Sequence, residues 1–93
     1  MLAAIENARS VIAGSAIRTP LLRFQVPSAP AEIYLKLENL QPIGSFKIRG
    51  AASAIARLTP AELERGVVTA SAGNMAQGVG WRARELGSLS RAP

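Results

Sequence analysis

Two short stretches of the chain carry side chains that could do chemistry together. The first is Ser45-Phe46-Lys47-Ile48-Arg49-Gly50-Ala51, and some two dozen residues later comes Ser71-Ala72-Gly73-Asn74-Met75-Ala76-Gln77-Gly78. Lys47 falls where a helix is expected to begin at Ser45, so unpaired backbone amides surround its stem and Arg49 adds a full charge nearby. Both influences favour a neutral ε-amine, the form that attacks an aldehyde to give a Schiff base. By itself the pattern is more often that of a surface lysine at a helix start. Phe46 either anchors that start in the core or shields a bound aromatic ring from water.

The second stretch lies between an expected strand and an expected helix, where α/β folds collect anions on free backbone amides. Ala72 and Gly73 let the main chain approach a ligand closely, while Ser71 offers a hydroxyl and Asn74 an amide. Gln77, one turn on, can face the same space. A carboxylate suits such a loop. A plain turn with Asn74 as helix cap is the alternative, and Glu38, at a strand end, reads as a solvated surface charge.

The elements that must position these residues follow from periodicity. Ala4, Ile5, Ala8, Val11 and Ile12 recur at helical spacing before Gly14, predicting an amphipathic helix over 2–13 that packs on something. Leu21 to Val26 predicts a short strand, Pro27 to Pro30 a turn, and Glu32 to Glu38 an alternating strand with one wet face, so the two form a hairpin. After a loop broken by Pro42 and Gly44, Ser45 is expected to cap a helix running to about Leu58, with Ile48, Ala51 or Ala52, Ile55 and Leu58 buried. Thr59-Pro60-Ala61-Glu62 predicts a capping box opening a brief helix that Gly66 ends. Val67 to Ala70 is expected as a short buried strand. The last helix should run from Asn74 to Leu86, with a stripe of Met75, Val79, Ala83 and Leu86 and Gly87 as its stop. This order suits parallel strands with flanking helices. Residues 1–87 are expected to form the domain, and 88–93 an irregular tail.

Composition narrows the function classes. The 93 residues are 48% hydrophobic and 4% aromatic, the make-up of an ordinary α/β chain. The net charge of +5 comes from arginines scattered from Arg9 to Arg91 with no interleaved aromatics, a distribution that argues against a nucleic-acid partner. Charges recur too often for a membrane span, and the start of the chain has no basic region ahead of an apolar one, so a cytoplasmic location is expected. Cysteine and histidine are both absent, so no metal site is expected.

Leu37 to Ala51 and Ala70 to Val79 resemble the two signature segments of the serine/threonine dehydratases, which use pyridoxal phosphate; Arg18-Thr19-Pro20-Leu21 resembles the family's upstream segment. The likeness reaches Leu86. It implies an α/β fold with a partial parallel sheet and flanking helices, the N-terminal part of a tryptophan synthase beta-like fold. It also implies that Lys47 holds the cofactor as a Schiff base and moves the α-proton. Phe46 would pack beside the cofactor, Asn74 would bond its phenolic oxygen, and Ser71, Ala72, Gly73, Asn74 and Gln77 would cradle the carboxylate of an amino acid substrate. The implied reaction is β-elimination of water from L-threonine or L-serine, in a homo-oligomeric parent. Ile48 stands where the cysteine and threonine synthase branches carry aspartate, which favours the dehydratase branch. Ala72 stands where serine racemases carry a second acid/base serine, which argues against racemisation. Met75 replaces the family's usual histidine. The family's glycine-rich phosphate cradle lies downstream of these 93 residues, so the chain alone is expected to be inactive; a non-catalytic interaction piece is the alternative, or a sibling synthase.

Overall fold

In a computed structural model, residues 1–91 are described. Helix α1 spans Leu2–Ile12, strands β1 and β2 span Leu21–Phe24 and Ile33–Lys36, and a single 3-10 turn follows at Glu38–Leu40. Then come α2 (Lys47–Ile55), α3 (Pro60–Arg65), β3 (Val67–Val68), α4 (Asn74–Glu85) and β4 (Ser90–Arg91).

The core is the contact between α2 and α4. Ile48, Ala51, Ala52 and Ile55 are buried on α2, as their spacing predicts, and α4 buries Gly78 and Ala83, with Gly78 against Ala51. Glycine at 78 allows that approach: a Cβ there would lie 3.1 Å from Ala51 Cβ and 3.3 Å from both the Lys47 carbonyl oxygen and Ile43 Cδ1. Leu58 is half-buried beyond the end of α2, and Leu86 is exposed at the end of α4.

The hairpin forms in antiparallel register, Leu21 opposite Lys36 and Phe24 opposite Ile33. Its strands are shorter than expected, and both faces are exposed rather than one, with Leu22, Phe24 and Tyr34 at least half open. Helix α1 packs against α2 as expected, with Ile12 buried and Ala8 half-buried, while Ile5 stays exposed.

Thr59 accepts from the Glu62 amide and Glu62 from the Thr59 amide, so α3 opens with the expected capping box and stops at Gly66, φ +89°. Two expectations about the sheet need correction. Val67–Val68 is not a buried strand, since Val68 is 79% exposed. Within the described part of the tail, which leaves out residues 92 and 93, Ser90–Arg91 is not irregular: it pairs in parallel with Val67–Val68, after α4 has carried the chain back past Gly87, φ +70°. The parallel pair is therefore β3 with β4, and the hairpin forms a separate sheet. Short alternating runs do not show which face a neighbour covers, and a two-residue strand has too few side chains to show periodicity.

Candidate functional site

Lys47 is the first residue of α2 and is half-buried, with its Nζ 5.2 Å from the centre of the Phe46 ring. The helix cap falls one residue later than expected. Ser45 does not cap it: the Ser45 hydroxyl is buried with no hydrogen-bond partner, and Phe46, in helical conformation, occupies the cap position without a side-chain bond. Phe46 is 58% exposed, so it does not anchor the helix start in a core.

Another set of contacts holds this helix start. Glu38, in the 3-10 turn, accepts from Arg49 Nε and, at 3.0 Å, from Arg49 Nη2, closing a two-point ion pair. It also accepts from the Thr19 hydroxyl and, at 3.2 Å, from Gln41 Nε2. Gln41 in turn clamps the backbone of Ile17, accepting its N–H at 2.9 Å and donating to its carbonyl at 2.8 Å. Arg49 Nη2 reaches the same carbonyl at 3.3 Å. These bonds tie three segments remote in sequence: the stretch before β1, the 3-10 turn and the first turn of α2. The Arg49 guanidinium, followed by the Thr19 and Gln41 donors, holds the Glu38 carboxyl at about 2 against an ordinary 4.5, despite opposition from burial. Glu38 raises the pKa of Arg49 in return.

Glu38 is therefore no solvated strand end, and sequence reasoning missed it. Its carboxylate is eleven residues from Arg49, a separation no helical or strand period connects. Arg49 likewise does not stand as an uncompensated charge beside Lys47, because the carboxylate neutralises it at contact distance.

The second stretch is looser. Gly73 is the cap residue of α4, and no side chain caps that helix; the local tie is the Gly73 N–H donating to Ser71 Oγ at 3.2 Å. Asn74 is the first helical residue rather than the cap. Ser71 is half-buried, while Ala72, Gly73, Asn74 and Gln77 are exposed. The first turns of α4 nonetheless lie against the start of α2, because Gly78 faces the Lys47 carbonyl and the Met75 methyl lies 3.9 Å from where a Cβ at Gly50 would be. Met75 is thus a packing residue. Among the described residues no cluster of acidic side chains could hold a metal ion, and no helix is long and apolar enough to cross a membrane.

The decisive observation is a match over most of the chain: the family described as "Pyridoxal-phosphate dependent enzyme" covers residues 12–92. The chain belongs to that family. It is 51% identical over 85 residues to an L-threonine ammonia-lyase of Thermotoga maritima, a match covering 89% of this chain and 21% of the relative. It is 45% identical over 86 residues to the L-threonine dehydratase catabolic TdcB of Staphylococcus aureus, covering 89% and 25%. Among solved structures, maize serine racemase superposes with a TM-score of 0.88 at 33% identity, covering 98% of this chain and 29% of that one. A threonine deaminase from T.th. superposes with a TM-score of 0.86 at 36% identity, covering 99% and 32%. The chain thus spans between a fifth and a quarter of the length of these curated relatives, and its fold is part of a larger fold-type II pyridoxal-phosphate enzyme fold. The residues present fit one end of the family's cofactor. A half-buried primary amine beside an aromatic ring suits an aldehyde, and an exposed amide at the adjoining helix start suits a phenolic or carboxylate oxygen.

Proposed function

We propose that the whole protein eliminates water from L-threonine or L-serine, with Lys47 as its catalytic amine. What supports this reading above all is the packing of two helix starts, one carrying Lys47 and the other following the Ser71-Ala72-Gly73-Asn74 turn, through the close approach at Gly78. When bound, pyridoxal phosphate supplies an electron sink for the carbanion left at the substrate Cα. Lys47 Nζ would hold the cofactor's aldehyde carbon and would take the proton from the substrate Cα. The substrate carboxylate is gripped by the backbone amides of residues 71–74 with the Ser71 hydroxyl and the Gln77 amide, which orients the Cα–H bond. Asn74 donates to the phenolic oxygen, and Phe46 keeps water from the reacting carbon.

Loss of the Cα proton and of the β-hydroxyl as water gives an unsaturated amine. Hydrolysis by one water then yields a 2-oxo acid and ammonia. Two threonine-deaminating relatives favour this outcome by name, and two serine racemase structures favour a second reading, racemisation of serine. Ala72 has no group that could return a proton to Cα, so elimination is the reading preferred.

The test is the whole protein with pyridoxal phosphate and each L-amino acid. Equal amounts of 2-oxo acid and ammonia are expected; D-serine as the main product, or no turnover, would overturn the reading. The 93 residues alone are expected to give no 2-oxo acid, since the apolar hairpin stands exposed on both faces.

A further inference from the structure

Lys47, Ile48 and Arg49 are consecutive at the start of α2, so their side chains leave the helix at intervals of about 100°. Two of these three directions are occupied. Ile48 is 0% exposed, its side chain wholly buried in the core. Arg49 is held by the Glu38 carboxylate at two points, through Nε and Nη2. The helix start has no side-chain cap to fix it otherwise, since Ser45 and Phe46 make no such bond.

We propose that Glu38 is a positioning residue for the reaction assigned above to Lys47: its two-point grip on Arg49 sets the rotation of the first turn of α2, and with it the direction in which the lysine is presented. The inference rests on that assignment. A guanidinium fork held at two nitrogens fixes an angle that a single contact cannot. The far side of the grip is itself braced, because the Thr19 hydroxyl and the Gln41 amide hold the Glu38 carboxylate, and Gln41 is clamped to both polar backbone groups of Ile17. A turn of the helix start by a few tens of degrees would swing an amine at the end of a four-carbon stem by more than an ångström, enough to spoil proton transfer by about tenfold or more.

The experiment uses the whole protein loaded with pyridoxal phosphate and compares Glu38→Gln, Arg49→Lys and, as a stability control away from the site, Thr59→Ala. Glu38→Gln and Arg49→Lys are each expected to lower kcat by about tenfold or more with KM within about threefold, and to change the circular dichroism of the lysine-bound cofactor. Arg49→Lys retains the charge and loses the fork, so full activity in that variant would overturn a role for orientation. Thr59→Ala should lower the melting temperature and leave kcat and the dichroism unchanged. If kcat per folded molecule and the cofactor signal are unchanged in the first two variants while stability falls, the network serves stability only and the inference fails. A parallel Lys47→Ala protein separates the two levels: if it is dead while Glu38→Gln works normally, the inference alone is wrong, and if it retains turnover, the assignment of Lys47 falls as well.

Discussion

The starts of α2 and α4 lie side by side and are built on opposite principles. At α2 the backbone amides lack a side-chain cap, yet an ion pair, a hydroxyl and an amide clamp tie the first turn to two distant segments. At α4 the turn of residues 71–73 is held by one hydrogen bond onto Ser71, and Ala72, Gly73 and Asn74 are exposed. The difference teaches where precision is needed. On the proposed reading, a lysine that must meet one carbon at a fixed angle requires prior orientation, whereas a loop that closes on a carboxylate can complete its geometry as the ligand arrives.

Removing the reacting group should give the largest effect. Lys47→Ala in the whole protein is expected to lower kcat at least about a thousandfold while leaving the melting temperature within a few degrees. Retained turnover would place the chemistry on another amine.

Next, the two starts can be pried apart. Gly78→Val places branched carbons against Ala51, Ile43 and the Lys47 carbonyl, all within 3.3 Å of the first added atom. The expected cost is about 2–3 kcal/mol in denaturant unfolding, with activity falling alongside. A neutral result would mean that the helices do not meet as closely as described.

Acid should then separate the regions. The Glu38 carboxyl stands at about 2 in the fold against 4.5 ordinarily, so its contribution is fully present above pH 4.5 and is lost as the pH falls from there toward 2. Allowing for the partial exposure of Arg49, that contribution is about 2 kcal/mol. Glu38→Gln should flatten the stability profile across this window, and a profile unchanged by the substitution would remove Glu38 as its source.

The loose side should respond in affinity instead. Asn74→Ala and Gln77→Ala, both at exposed positions, are expected to raise KM by about tenfold or less and to shift stability by less than about 0.5 kcal/mol. Marked unfolding of either variant would show that this start is braced too.

The contrast also governs what was legible in the sequence. The buried stripe of α2 and the capping box of α3 are local patterns and appear as read, except that α2 ends at Ile55 and leaves Leu58 half-buried beyond it. The two signature stretches were legible as residue types in order, and the family match bears out their kinship. Glu38 was not legible, because its partners Thr19, Gln41 and Arg49 converge only after the 3-10 turn folds back over the segment before β1. Ser45 misled for a related reason: its hydroxyl has the cap chemistry, but one more residue, Phe46, intervenes before the helix begins. The tail strand escaped because its two residues pair with a strand of two, where backbone hydrogen bonding decides and side-chain pattern says nothing.

The most direct test of the central claim is chemical trapping. The described chain offers two lysines, Lys36, whose amine is tied to the Thr19 carbonyl, and Lys47, whose amine lies beside the Phe46 ring. Whole protein incubated with pyridoxal phosphate, reduced with borohydride and digested should yield the pyridoxyl label on the peptide containing Lys47, and Glu38→Gln should lower its yield. Stoichiometric label on Lys36 or on any lysine outside this region, with Lys47 unmodified, would contradict the account.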